Sequence, residues 1–180
     1  MKPLNVHNTA FKNQTKKSLR NMDAFNYSSN SAVQSADSQP LLGSLVEEEW
    51  EIFLKHVEDV RFAADTHIVR KGERDSSVYI LVEGDVSIDA DEAGSIQLAR
   101  FVPGDVFGEI AFFDQAPRSA FVRALTPGRA LRLTKERFDY LSVWEPLISR
   151  QFLFDLATSL ANRLRWTTEA YLAAKDQSGD

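Results

Sequence analysis

One stretch of this chain combines residue types that can do chemistry together: Phe107-Gly108-Glu109-Ile110-Ala111-Phe112-Phe113-Asp114-Gln115-Ala116-Pro117-Arg118-Ser119-Ala120. Gly108 precedes a short apolar turn of helix, so the first backbone N–H groups of that turn are free and close approach is possible. Helix N-termini with free N–H groups favour anions. Arg118 follows nine residues after Glu109, just after a proline that disfavours helix, and a guanidinium there can bind a phosphate with charge-assisted bonds. Glu109 would repel a phosphate unless it faces a hydroxyl of the same ligand. A phosphate with an adjacent sugar hydroxyl meets both demands. The plainer alternative is that Gly108-Glu109 only starts a helix and that Arg118 is a paired surface side chain.

The elements that must position this stretch are legible in outline. Ser44-x-x-Glu47 predicts a capping box, and Val46, Trp50, Phe53 and Val57 continue at helical spacing, so a first helix is expected over 44–58. From 60 to 134 the pattern is one of short strands. Val78-Tyr79-Ile80-Leu81-Val82 is β-rich, Val86-Ser87-Ile88-Asp89 alternates, and glycines punctuate the runs. This predicts a mainly β sandwich or barrel with flanking helices. Lys135 to Leu141 should form a short helix, and Pro146 opens a long one over 146–174. On it Leu153, Ala157, Leu160, Leu164, Thr167 and Tyr171 form a stripe that packs either on the β domain or against a second copy.

The order and motifs resemble the cyclic-nucleotide-binding domain family. Phe-Gly-Glu-Ile-Ala followed by Pro-Arg-Ser-Ala is similar to its phosphate-binding cassette, and the similarity runs from about Trp50 to Tyr171. Lys71-Gly72, Tyr79-Ile80-Leu81, Glu83-Gly84 and Pro103-Gly104 fall where that family has turns and strands. The resemblance implies an eight-stranded jelly-roll β-roll, a double-stranded β-helix, with a long C-terminal helix. It implies a ligand-binding set of Phe107, Gly108, Glu109, Ile110, Ala111, Arg118, Ser119, Thr167 and Thr168. Glu109 would accept from the ribose 2′-OH, Arg118 would pair with the cyclic phosphate, and Gly108 with the N–H groups of Ile110 and Ala111 would complete the cradle. Ser119 stands where catabolite-activator-like members also place a serine; it either bonds the phosphate or caps a strand. Thr167 and Thr168 match a pair that contacts the adenine amino group in such members, or are ordinary surface threonines. Arg163 is expected to be solvated or paired on its own helix. Phe112 and Phe113 are expected in the core or in a lid.

The implied function is a regulatory module for cAMP, or cGMP, that switches its C-terminal helix and acts through an effector protein, with a homodimer through that helix plausible. The alternatives are a nucleotide-free scaffold of the same fold, or a regulator working with a separate DNA-binding partner. The chain ends at Asp180, so no helix-turn-helix is expected and no direct DNA binding. Composition narrows the rest. The chain has 180 residues, no cysteine, three histidines and a net charge of −5. That argues against disulfides, thiolate chemistry and a metal-dependent enzyme, and no metal or catalytic residue is expected. With no membrane span and no apolar N-terminal run, a cytoplasmic protein is expected. Residues 1–40 are polar, with five bases against two acids, while residues 41–180 carry sixteen bases against twenty-four acids. A basic disordered tail, or a targeting or docking arm, on an acidic domain over 41–180 is the expectation.

Overall fold

The computed structural model describes residues 41–178; the predicted tail over 1–40 lies outside them. In chain order the elements are α1 (Glu47–Leu54), β1 (Glu58–Phe62), β2 (His67–Val69), β3 (Val78–Glu83), β4 (Val86–Asp89), β5 (Gln97–Phe101) and β6 (Val106–Phe107). Then come α2 (Glu109–Asp114), β7 (Phe121–Ala124), β8 (Gly128–Leu133), α3 (Lys135–Trp144) and α4 (Pro146–Ser178). Two four-stranded antiparallel sheets, ordered β1-β8-β3-β6 and β2-β7-β4-β5, form the β-roll. The predicted jelly-roll class holds, with the long helix at the C-terminal end.

β3 shows why its sequence is almost continuously apolar. Val78, Ile80 and Val82 pack with the helices, whereas Tyr79 and Leu81 pack with Val86, Phe101, Phe107 and Val122 inside the roll. A strand buried on both faces shows no polar alternation. The helical layer is built on Trp50 and Phe53 of α1, Phe138 and Leu141 of α3, and Ile148, Phe152 and Leu156 of α4. Phe112 of α2 completes it. Its ring lies 5.2 Å from Phe138 and 6.2 Å from Phe152. Phe112 is thus core, while Phe113 is 43% exposed.

Two local expectations change. The first helix is only Glu47–Leu54, because Glu58 already pairs with Arg132 in the β1–β8 ladder and the chain must straighten before it. Its cap is not Ser44: Val46 occupies the N-cap, and its N–H donates to Glu49 Oε2 at 3.0 Å. The long helix runs to Ser178, past the expected 174. Its buried line is Ile148, Phe152, Leu156 and Ser159, with Arg163 and Trp166 half-buried, so the predicted stripe lies beside the contact face. Ala157, Leu164, Thr167 and Tyr171 are exposed. No described helix is long and apolar enough to cross a membrane.

Phe152 is fully buried where α1, α2, α3 and α4 meet. Phe152→Ala should lower unfolding free energy by about 3–5 kcal/mol in urea titration, the usual result of removing a buried ring.

Candidate functional site

β6 ends at Phe107, and Gly108 turns the chain into α2 with a φ of 81°. A Cβ on Gly108 would lie 2.6 Å from Arg118 Nη1 and 2.8 Å from Ser77 O. Glycine is therefore required twice, by the left-handed backbone and by the guanidinium lying on it.

Arg118 is 3% exposed. Its Nη1 donates to Gly108 O at 2.9 Å, and its Nη2 donates to Ser77 O at 2.7 Å and Asp75 Oδ2 at 2.9 Å. The guanidinium also lies 5.7 Å from the centre of the Tyr79 ring, which stacks on Phe107 at 5.0 Å. Asp75 anchors this arrangement. Ser77 N–H, Ser77 Oγ, Arg118 and Arg132 all bond to it. Although burial acts to raise its pKa, the hydrogen bonds from Ser77 and Arg118 outweigh that and hold Asp75 at about 2. Arg118 Nε is buried without a partner among the described residues. A buried N–H left unpaired is unfavourable.

Glu109, 6% exposed, accepts from Arg163 Nη1 at 2.6 Å. Arg163 also donates from Nη2 to Val106 O, and its guanidinium sits 4.5 Å over the Phe101 ring. The expectation for Arg163 is corrected: it crosses 54 residues to bond Glu109 in the cassette. Sequence alone gave no pairing signal, since the partner is so distant in the chain. The one available clue was that Phe152 and Arg163 are eleven residues apart, three helical turns, and therefore share a face.

These groups wall a cleft of about 420 Å³ that opens to solvent. Val69, Ile88, Phe101, Phe107 and Val122 line its apolar side; Gly108, Glu109, Ile110, Ala111, Arg118, Ser119 and Arg163 line the rest. Seven of the nine predicted site residues come together here. Thr167 and Thr168 do not line it. Both are exposed, and their hydroxyls donate to Arg163 O and Leu164 O, each at 2.8 Å. Among the described residues no group of three His, Cys, Asp or Glu side chains could hold a metal ion.

Asp105 lies under the Arg163 contact. It is 2% exposed, and its Oδ2 accepts from Val102 N–H at 2.8 Å. Burial pushes its pKa up to about 6, against the bond from Val102 and the pull of Arg163. Between about pH 4 and 6 the folded protein keeps a proton that the unfolded chain has lost, so this group makes stability decline as pH rises through that window. Asp75 acts oppositely: its stabilisation is present above pH 4 and lost as pH falls toward 2. Asp105→Asn should remove the first slope, worth about 2–3 kcal/mol at neutral pH, and leave the second, as read from urea titrations at half-unit pH intervals.

Residues 59–142 match the model of the family described as Cyclic nucleotide-binding domain. The cAMP-activated global transcriptional regulator CRP of Salmonella typhimurium is 30% identical over 124 residues, 67% of this chain and 56% of the relative. The cAMP-dependent protein kinase regulatory subunit of Emericella nidulans is 30% identical over 102 residues, 57% of this chain and 24% of that protein. This chain therefore spans about half the length of the CRP relatives or less of longer ones. Among solved structures, the Thermus thermophilus catabolite activator protein aligns with a TM-score of 0.62 and 29% identity, over 78% of this chain and 63% of that one. A cyclic nucleotide-binding domain from Methylobacillus flagellatus KT shares the fold, with a TM-score of 0.71 at 17% identity, over 92% of this chain and 84% of that one. With the β-roll, the Gly108 turn and the buried Arg118, these similarities place residues 59–142 in the cyclic nucleotide-binding domain family.

Proposed function

We propose that the cleft binds a 3′,5′-cyclic nucleotide, cAMP in preference to cGMP, and that occupancy is passed to α4 as a regulatory signal. The observation that carries this is Arg118: a buried guanidinium held by three bonds, with its Nε unpaired, in the wall of a cleft shared with Glu109. The cyclic phosphate would take Arg118 Nε–H, the Ser119 hydroxyl and the first N–H groups of α2, which the Gly108 turn leaves without helical partners. The ribose 2′-OH would donate to Glu109. The apolar wall of Val69, Ile88, Phe101 and Val122 suits a ring system.

Signalling follows from who already holds Glu109. Its carboxylate is shared between the cleft and Arg163 of α4, so a ribose hydroxyl alters the contact that fastens α4 to the cassette. A ligand shifts a conformational equilibrium only by binding the two states differently, and this shared carboxylate is where the difference arises. The preference for cAMP is supported by the relatives, whose names state activation by or dependence on cAMP. Thr167 and Thr168 would meet the base only after α4 moves, or from a second copy joined along the exposed Leu164 and Tyr171 stripe. The protein is proposed as a regulator acting through an effector partner, not an enzyme.

Calorimetric titration and thermal unfolding with cAMP and cGMP test this. Ligand at about 100 times its Kd should stabilise the protein by about 2.7 kcal/mol. Arg118→Ala should weaken binding by about 10- to 100-fold for each charge-assisted bond lost. The 2′-deoxy analogue should bind the native protein more weakly than cAMP but bind Glu109→Gln equally. No binding of either nucleotide at millimolar concentration would overturn the proposal.

Arg163→Met tests the coupling separately. It should leave cleft binding measurable while abolishing any nucleotide-dependent change in amide hydrogen exchange along α4 beyond residue 160.

A further inference from the structure

Asp105 holds one carboxylate oxygen that the fold uses and one that it does not. The residue ends the turn between β5 and β6. Its N–H donates to Val102 O at 3.0 Å, and Val102 N–H returns to Asp105 Oδ2 at 2.8 Å, so one oxygen closes the turn. Gly104 N–H donates to Leu81 O at 2.8 Å and Leu81 N–H to Asp105 O at 2.9 Å, which fastens the turn to β3. The other oxygen, Oδ1, is buried with no hydrogen-bond partner among the described residues. Closing the turn takes a single acceptor, which an amide oxygen would supply as well. A carboxyl adds a second oxygen and a charge in a nearly dry place, where both are unfavourable unless another group answers them.

The group placed to answer is Arg163. Its guanidinium touches the chain on both sides of this turn. It lies 4.5 Å over the ring of Phe101, which precedes the turn, and it donates to the carbonyl of Val106, which follows it. The same guanidinium bonds Glu109 Oε1 at 2.6 Å. One cation from α4 thus holds a carboxylate that lines the cleft and reaches the turn that carries a second, buried one.

The charges around Asp105 are few. From α4, Arg163 acts on it and favours its ionised form, while burial favours the neutral form. From α2, Glu109 bonds that same guanidinium. The neighbouring strands bring Leu81, Phe101 and Val106, which carry no charge. The charged groups of those strands have partners of their own: Arg100 of β5 pairs with Asp85, and Glu83 of β3 pairs with Arg129. Asp105 titrates at about 6, so its charge changes over a range in which a protein can work.

We infer that Asp105 is a positioning residue for the nucleotide site: when ionised it is a second countercharge for Arg163, draws that guanidinium toward the turn, and leaves the Glu109 carboxylate open to the ribose hydroxyl. This deepens the reading of the cleft as a nucleotide site and rests on it. When Asp105 is protonated, Arg163 has no countercharge in the turn and stays on Glu109. Ionisation of Asp105 and ligand binding through Glu109 therefore favour each other. By linkage, binding releases a proton from Asp105 to solvent and tightens as pH rises through about 5–7.

Two measurements on the full chain test this, and the first needs no ligand. NMR of isotope-enriched side chains follows the Asp105 carboxyl carbon and the Arg163 Nε–H across the titration of Asp105. The Arg163 signal should shift with the Asp105 midpoint. It should stay still over that range in Asp105→Asn, whose amide oxygen still accepts from Val102 N–H. In Arg163→Met the Asp105 midpoint should move up. An Arg163 signal blind to Asp105, or a midpoint unmoved in Arg163→Met, would overturn the inference. The second measurement is calorimetric titration with cAMP and its 2′-deoxy analogue at about pH 5, 6 and 7. Affinity for cAMP should rise by up to about tenfold, the change that accompanies one unit of displacement in a coupled carboxyl. The analogue, which offers Glu109 no hydroxyl, should show no such rise, and Asp105→Asn should lose it for cAMP. A flat or falling profile, or an equal rise for the analogue, would overturn the inference and leave Asp105 as a turn residue only. No binding of either nucleotide at any pH, with Arg163 still following Asp105, would overturn the nucleotide reading and the role in ribose recognition while establishing the Asp105–Arg163 pairing.

Discussion

A positive charge buried inside a β-roll is the constraint on which the cassette depends. Arg118 sits at 3% exposure, where an uncompensated guanidinium would be strongly destabilising. The surrounding structure supplies the compensation. Asp75 provides the countercharge, Ser77 and Gly108 provide carbonyls, and Tyr79 provides an aromatic face. The partners come from two stretches of the chain, residues 75–79 and Gly108. The β2–β3 loop, β3 and the β6–α2 turn must therefore all be in register before Arg118 is satisfied. The glycine at 108 follows from the same constraint, because the guanidinium occupies the place of its side chain.

The long helix reaches this centre in two ways of different character. Phe112 and Phe152 join α2 to α4 by apolar packing. Glu109 and Arg163 join them by a charged bond at the edge of the cleft. The apolar contact belongs to the buried core, while the charged contact lines the cleft. Asp105 beside this contact is the exception to economical packing. It keeps a carboxyl in a nearly dry place where burial opposes its charge.

The helical layer has its own asymmetry. Its inner side is a dense cluster of aromatic rings around Phe152, whereas its outer corner leaves Tyr140 and Trp144 exposed.

Much of the fold was legible in local residue pattern. β3 and β4 were marked by apolar runs and alternation, the short helix after Gly108 by its glycine, and the start of α4 by Pro146, because these signals act over a few residues. The cassette was legible for the same reason: Phe107 to Ser119 is one short stretch, and its spacing does not depend on the rest of the chain. What tertiary structure alone decided lies at long range. The first helix ended early because a strand pairing 74 residues away claimed Glu58. The Ser44 cap was replaced by Glu49 bonding to Val46, since the helix start is set by how Trp50 and Phe53 pack. Asp75 and Arg163 gained their roles by crossing 43 and 54 residues to Arg118 and Glu109. Their residue types are ordinary for a loop and a helix surface. Only closure of the roll, which places the β2–β3 loop behind Arg118 and lays α4 along α2, makes either of them part of the site.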